Sequence, residues 1–223
     1  YLITESSPLA NPYWEYSRNK IAAENALWDA YRDSGFPGVV VRPSYTYGPT
    51  VVPCAVGGWD YTMVDRMRRG KKIIVHGDGT SLWVMTHSDD FAKGFVGLLG
   101  HIQSIGHAFH ITSDEVLTWD QIYTAMAHAA GVEPKIIHIP SDLIARYSEY
   151  DGDNLLGDKA VSVVFDNSKL KRFVPGFQAT IPFAQGIRCS VAYFDADDSR
   201  RTVSEGANKW MDRLIADYKA AFG

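Results

Sequence analysis

The sequence predicts an α/β protein with a largely parallel sheet, and three observations carry that reading. Short apolar runs alternate with longer stretches of helical period along the whole chain. The run "GVVV" at 38–41 is apolar without alternation, as strands buried on both faces are. The stretch "TWDQIYTAMAHAAG" opens on a capping box, Thr118 to Gln121, and closes on Gly131, so the helices are sharply delimited. A chain of 223 residues suits one domain or a compact two-lobed unit with ample material for a core.

Taken in order, Asn11-Pro12 offers an N-cap and a first-turn proline, predicting a helix to about Ser34-Gly35. A buried strand over Gly38–Val41 then runs into the proline-punctuated loop "RPSYTYGP". Residues 58–69 read as a helix, and "KKIIVHGDGTSLWVMTHS" as two strands joined by a tight Asp78-Gly79 turn. A helix over Asp89–Leu99 follows, with Asp89 or Asp90 as its N-cap. "HAFHIT" and "KIIHIP" are strands on either side of the capped helix. Pro140, Ser141 and Asp142 then begin another helix, Thr180-Ile181-Pro182 a further one to about Asp195, and Ser204–Phe222 forms a last amphipathic one.

Composition narrows the function classes. Hydrophobic content of 46% and charged content of 22% are those of an ordinary soluble globular protein. A net charge of −4 gives no electrostatic case for nucleic acid, and the short run Arg66–Lys72 reads as a solvated helix end. No apolar run approaches membrane-spanning length, and no signal peptide is expected. Cys54 and Cys189 make neither a disulfide framework nor a zinc signature. His76, His107, His110 and His138 lack metal-ligand spacing, so no metal is expected and a reducing cytoplasm is the default location.

The chemistry-bearing spacing is "YWEYSRNKIAAE". Tyr16 and Lys20 stand four apart on a helix, one above the other. A fixed cation beside a phenol stabilises the phenolate, which makes proton exchange with a substrate hydroxyl feasible. A packing pair on an exposed helix would leave the same spacing. The surrounding blocks favour chemistry. "ITESSPLANPYWEYSRNKIAAENAL", "GVVVRPSYTYGPT", "GDGTSLWVMTHSDDFAKGFVGLL" and "IPFAQGIRCSVAYFD" occur in an order that resembles the extended short-chain dehydrogenase/reductases, the NAD-dependent epimerases and dehydratases.

That resemblance implies the back half of a doubly wound Rossmann-type sheet, in residues 1–50 and 81–116, and a small α/β substrate lobe, in 51–80 and 117–223. It makes Tyr16 the general acid/base, with Lys20 supporting it and holding the ribose of NAD or NADP. Pro43, Ser44 and Tyr45 would border the nicotinamide. Tyr45, Thr46, Trp59 and Trp83 are candidate substrate contacts, with aromatic packing an equal reading for Trp59 and for Tyr61. The implied partner is a small-molecule substrate, with no membrane or nucleic acid and with a homodimer allowed. A non-catalytic RNA-binding or scaffold relative is the rival reading, and a reductase of small aldehydes or ketones a third.

Two departures qualify the resemblance. Trp83 stands where nucleotide-sugar epimerases commonly place a phosphate-pairing arginine, which puts a UDP-sugar in doubt unless Arg146 or Arg188 compensates. No glycine-rich loop follows a first strand to open a helix, and no acidic ribose ligand follows a second. The triad's serine or threonine has no counterpart either, since Ser6 and Ser7 lie too near Tyr16. The expectation is the last two-thirds of a longer protein, whether truncated, proteolysed or incompletely recorded at its start.

Overall fold

The computed structural model describes residues 2–222; Tyr1 and Gly223, end points of the two regions delimited above, lie outside them. The chain runs through α1 (Glu15–Ser34), β1 (Val40–Pro43), β2 (Tyr45–Tyr47), α2 (Thr62–Arg68), β3 (Ile73–His76), β4 (Leu82–Trp83), β5 (Met85–His87) and α3 (Ser88–Leu98). It continues through β6 (Ala108–Ile111), β7 (Leu117–Thr118), α4 (Trp119–Ala129), β8 (Ile136–Ile139), α5 (Ser141–Tyr147) and α6 (Glu149–Asn154). A π-helical turn, Leu155–Lys159, leads to α7 (Ser168–Phe173), α8 (Phe183–Asp195) and α9 (Glu205–Phe222).

The strands associate as pairs. β1 runs parallel to β6, β2 to β5 and β3 to β8, while β4 and β7 are antiparallel. The α/β, predominantly parallel architecture is as the sequence implies. The expected hairpin is not there: β3 and β4 pair with β8 and β7 instead of with each other. The turn itself forms, with Gly79 at φ +76° and Asp78 accepting from the Thr80 backbone N–H at 3.0 Å. All four residues of β3 are buried, which suits a strand covered on both faces.

Other boundaries shift for local reasons. α1 begins at Glu15, because Asn11 Oδ1 is spent on the backbone N–H groups of Tyr13 (3.2 Å) and Trp14 (2.9 Å), closing a turn ahead of the helix. α2 begins only at Thr62, since Gly57 and Gly58 hold φ of +85° and +96°. α3 is capped by His87, whose Nδ1 accepts from the Asp89 N–H at 3.2 Å, and not by Asp89 or Asp90. β1 lies two residues later than expected and is half-buried, with β6 its partner among the described strands. Nor is the basic run all solvated. Arg66 is buried, donating to Asn208 Oδ1 and Asp212 Oδ1 at 2.8 Å each.

The main core gathers β3, α4, α8 and α9 around Trp119, Tyr123, Phe183 and Met211. A smaller cluster around Phe109, Ile111, Leu170 and Phe177 packs β6 against α7 and α3. Asp90 ties α3 to the strand-like lead into α8, accepting from the backbone N–H groups of Thr180 (3.0 Å) and Ile181 (2.8 Å). The capping box of α4 forms as the sequence predicts.

Candidate active site

The late onset of α1 places Tyr16 in its first turn, one residue beyond Glu15, with Trp14 as the extended N-cap residue. Lys20 follows one turn on. Its Nζ stands over the Tyr16 ring, 5.3 Å from the centroid, and the phenol is 55% exposed. The ring of Trp14 lies 4.8 Å from that of Tyr16. Helix and strand are locked further along by Glu24, which receives Arg42 Nε at 3.0 Å and Nη2 at 2.5 Å. Burial raises the Glu24 carboxyl, but the Arg42 and Trp28 hydrogen bonds outweigh it and hold the group below its ordinary range.

A cleft of about 420 Å³ opens beside this helix. Ser17 and Lys20 from α1 and Pro43 from β1 face Asn11 and, across the gap, Gly157, Asp158 and Val161. Lys20 and Pro43 are thus brought together, while Tyr16 stands outside the lining. Ser44 is tied elsewhere, its Oγ lying 2.7 Å from Thr86 Oγ1. The Tyr45 hydroxyl donates to the Cys54 carbonyl at 3.3 Å, and burial chiefly, with Cys54 adding to it, raises that phenol so that it keeps its proton. Tyr45 meets Trp59 edge-on at 6.4 Å, and Trp59 is 54% exposed. Thr46 pairs with Thr86 in register, leaving its Oγ1 buried without a partner. Ser6 and Ser7 stay in a local turn with Thr4.

Trp83 is buried, its ring 5.5 Å from Trp119, and its Nε1–H has no acceptor. Neither arginine considered above reaches it. Arg188 faces a separate surface cleft with Asp120, Gln121 and His128, and Arg146 is exposed on α5. The cation that does reach it escapes the sequence. Lys159, at the end of the π-helical turn, is 3% exposed and puts Nζ 5.6 Å from the Trp83 ring and 5.4 Å from those of Trp14 and Tyr45. No local pattern marks it, because the rings that surround it come from three distant stretches of chain.

The literal spacing Gly94–Gly97–Gly100 falls in the second half of α3 and at its end, not at a helix opening. Gly94 and Gly97 serve packing, while Gly100 supplies a positive φ of +73° just past the helix. A Cβ on Gly94 would sit 2.8 Å from Ile111 Cγ2, and one on Gly97 2.5 Å from Val174 Cγ1. Among the described residues no group of three His, Cys, Asp or Glu is placed to hold a metal, and no helix is long and apolar enough to cross a membrane.

This arrangement has relatives. The chain is 26% identical over 176 residues to the 2'-dehydrokanamycin reductase of Streptomyces kanamyceticus, covering 79% of this chain and 49% of that protein. It is 29% identical over 122 residues to the chloroplast stem-loop binding protein of 41 kDa b of Arabidopsis thaliana, covering 54% and 30%. The chain spans about half the length, or less, of the curated relatives it matches. Its fold superposes on the UDP-glucuronic acid 4-epimerase of Bacillus cereus, solved with UDP-glucuronic acid and NAD, at a TM-score of 0.69 and 19% identity, covering 88% of this chain and 57% of that one. Residues 3–112, just under half of the chain, match the model of the NAD dependent epimerase/dehydratase family, which is the family this chain resembles.

Proposed function

We propose that the protein carrying this chain is an NAD(P)-dependent epimerase, dehydratase or reductase acting on a sugar-like or small carbonyl or hydroxyl substrate. The observation that carries the reading is the Tyr16–Lys20 pair, one helical turn apart, at the edge of a cleft that Lys20 shares with Pro43. In this reading residues 51–80 and 117–223 supply the substrate side and the remainder the cofactor side. Tyr16, exposed and in the first turn of α1, exchanges a proton with a substrate oxygen through its hydroxyl. Lys20 places positive charge beside that exchange.

The residues present fit the nicotinamide end of a dinucleotide. Lys20 offers an ammonium to ribose hydroxyls, and the Pro43 ring an apolar wall on the same cleft. Among the described residues no glycine-rich turn opens a helix behind a strand, so none of them offers the usual cradle for the pyrophosphate. When bound, the cofactor supplies the hydride acceptor or donor. Tyr45, holding its proton, and Trp59, open to solvent, form an aromatic flank that suits the body of a substrate more than proton transfer. A nucleic-acid role finds no support in a net charge of −4. α1 has a half-buried stripe through Ile21, Glu24 and Leu27 and an otherwise exposed face, which would suit a homodimer contact.

The test is Tyr16→Phe in the full-length protein. Only the transferable proton is lost, so turnover should fall by two or more orders of magnitude with cofactor affinity nearly unchanged. Near-wild-type turnover on a verified substrate would end the assignment.

A further inference from the structure

Lys159 raises a question that the Tyr16–Lys20 pair does not answer. An ammonium has three N–H donors, and burying one is costly unless they are used. Two are accounted for: Asn154 Oδ1 at 2.6 Å and Asp158 Oδ2 at 2.9 Å. Asn154 is itself fixed, donating to the Ala55 carbonyl at 2.9 Å. The third donor is left to the faces of Trp14, Tyr45 and Trp83. Beside it the Trp83 Nε1–H is buried and also without an acceptor. Two donors of this cluster, one on Lys159 and one on the ring that its Nζ faces, lack an oxygen.

The place is consistent with a ligand. Lys159 ends a π-helical turn, a distortion that recurs at functional sites. Gly157 and Asp158 of that turn line the cleft shared with Lys20 and Pro43. Asp158 is one-third exposed, so its carboxylate can swing to water and give up its place on Lys159.

We propose that Lys159 and the indole N–H of Trp83 form a subsite for a single carboxylate on a substrate whose apolar body lies against Trp14, Tyr45 and Trp59. This rests on reading the Tyr16–Lys20 cleft as the reaction site. The charge count selects the ligand class. Exchange of Asp158 for a substrate carboxylate replaces one negative charge with one, and leaves the ammonium balanced. A diphosphate brings more charge than one lysine can match, and among the described residues Lys159 is the cation found over the Trp83 ring. The three rings complement an apolar ring and offer nothing to a phosphate chain.

The experiment is calorimetric titration of the full-length protein with cyclohexanecarboxylate, and with its neutral counterpart cyclohexylmethanol, inorganic phosphate and UDP. The carboxylate should bind at least about ten-fold tighter than the other three, in keeping with a charge-assisted hydrogen bond. Lys159→Met should remove that preference. Trp83→Phe, which deletes only the N–H from an otherwise aromatic position, should weaken the carboxylate by roughly five-fold and leave the alcohol unchanged. Lys159→Arg should retain binding, which a purely structural lysine would not require. Equal affinity for acid and alcohol, tighter binding of UDP or phosphate, or a carboxylate affinity untouched by both Lys159→Met and Trp83→Phe would each overturn the proposal. Tyr16→Phe should bind cyclohexanecarboxylate like wild type. A failed subsite therefore leaves the turnover test of Tyr16 standing, and a failed Tyr16 test leaves this titration readable.

Discussion

Arg42 holds Glu24 in a two-point grip, Nε on Oε2 at 3.0 Å and Nη2 on Oε1 at 2.5 Å, with both side chains largely buried. The fork fixes the middle of α1 to β1, so the helix bearing Tyr16 is held against the strand that ends at Pro43. Glu24→Gln should cost about 1–3 kcal/mol, read as a lower urea midpoint at unchanged slope. Arg42→Lys should recover little, because a point donor cannot span both oxygens.

His76 sets the acid limit of the core. Burial chiefly depresses it from 6.5 to about 4, and the Lys159 charge adds to that, while its hydrogen bond to the Lys159 carbonyl and Asp78 act the other way. Nε2–H donates to that carbonyl at 2.8 Å, and Nδ1 is buried with no partner, so protonation would create an unpaired donor. The unfolded chain binds the proton more readily between these two values. Stability should therefore fall as the pH drops from about 6.5 toward 4, by on the order of 3 kcal/mol. His110, depressed mainly by burial, adds in the same direction. His76→Gln keeps a donor for Lys159 and should flatten urea midpoints measured between pH 6.5 and 4.5. An unchanged slope would refute the account.

Asp90 acts below that window. Burial raises its carboxyl, yet Lys93 at 2.6 Å and the Thr180 and Ile181 backbone N–H groups together bring it below 3.8. A depressed carboxylate stabilises above its unfolded value, and the contribution is lost as the pH falls below 3.8. Asp90→Asn should cost about 2–4 kcal/mol at pH 7 and lose its deficit in strong acid. Thermal unfolding at the two pH values reads the difference.

Cofactor affinity of the 223-residue chain itself should be too weak for calorimetry. Adenine and pyrophosphate are held in this family's fold by a glycine turn and the helix N-terminus behind it, and this chain has no such turn. Stoichiometric NAD or NADP on the chain starting at Tyr1 would contradict this.

What the sequence could disclose was local or carried by resemblance. The Thr118–Gln121 box and the Gly35 cap depend on neighbours within one turn, and both form. Tyr16, Lys20 and Pro43 were proposed through the order of motifs, since spacing alone could not separate a reacting pair from a packing pair. Asn11 misled because one side chain can close a turn or cap a helix with the same oxygen. The partner of β3 was beyond reach, as β8 lies sixty residues on and adjacency along the chain favoured a hairpin. Lys159 was missed for the same reason: its surroundings exist only after folding.

The absence of any buried residue in α1 bears on how the proposed Tyr16–Lys20 pair is maintained. A helix of this length is marginal in water on its own, and α1 is supported by the Gly35 cap, the Arg42 fork and a half-buried stripe, not by a buried face. We expect the order of α1, and with it the four-residue spacing of Tyr16 and Lys20, to increase when a partner rests on the helix. A cofactor, a substrate or a second subunit laid along α1 would bind less tightly by the free energy of ordering it, and in return would raise the fraction of molecules with the pair assembled. Backbone amides from Tyr16 to Ala30 should then exchange their hydrogens faster than those of the buried strands and slow together on binding. The helix proposed to carry the chemistry would then take part of its order from its ligands.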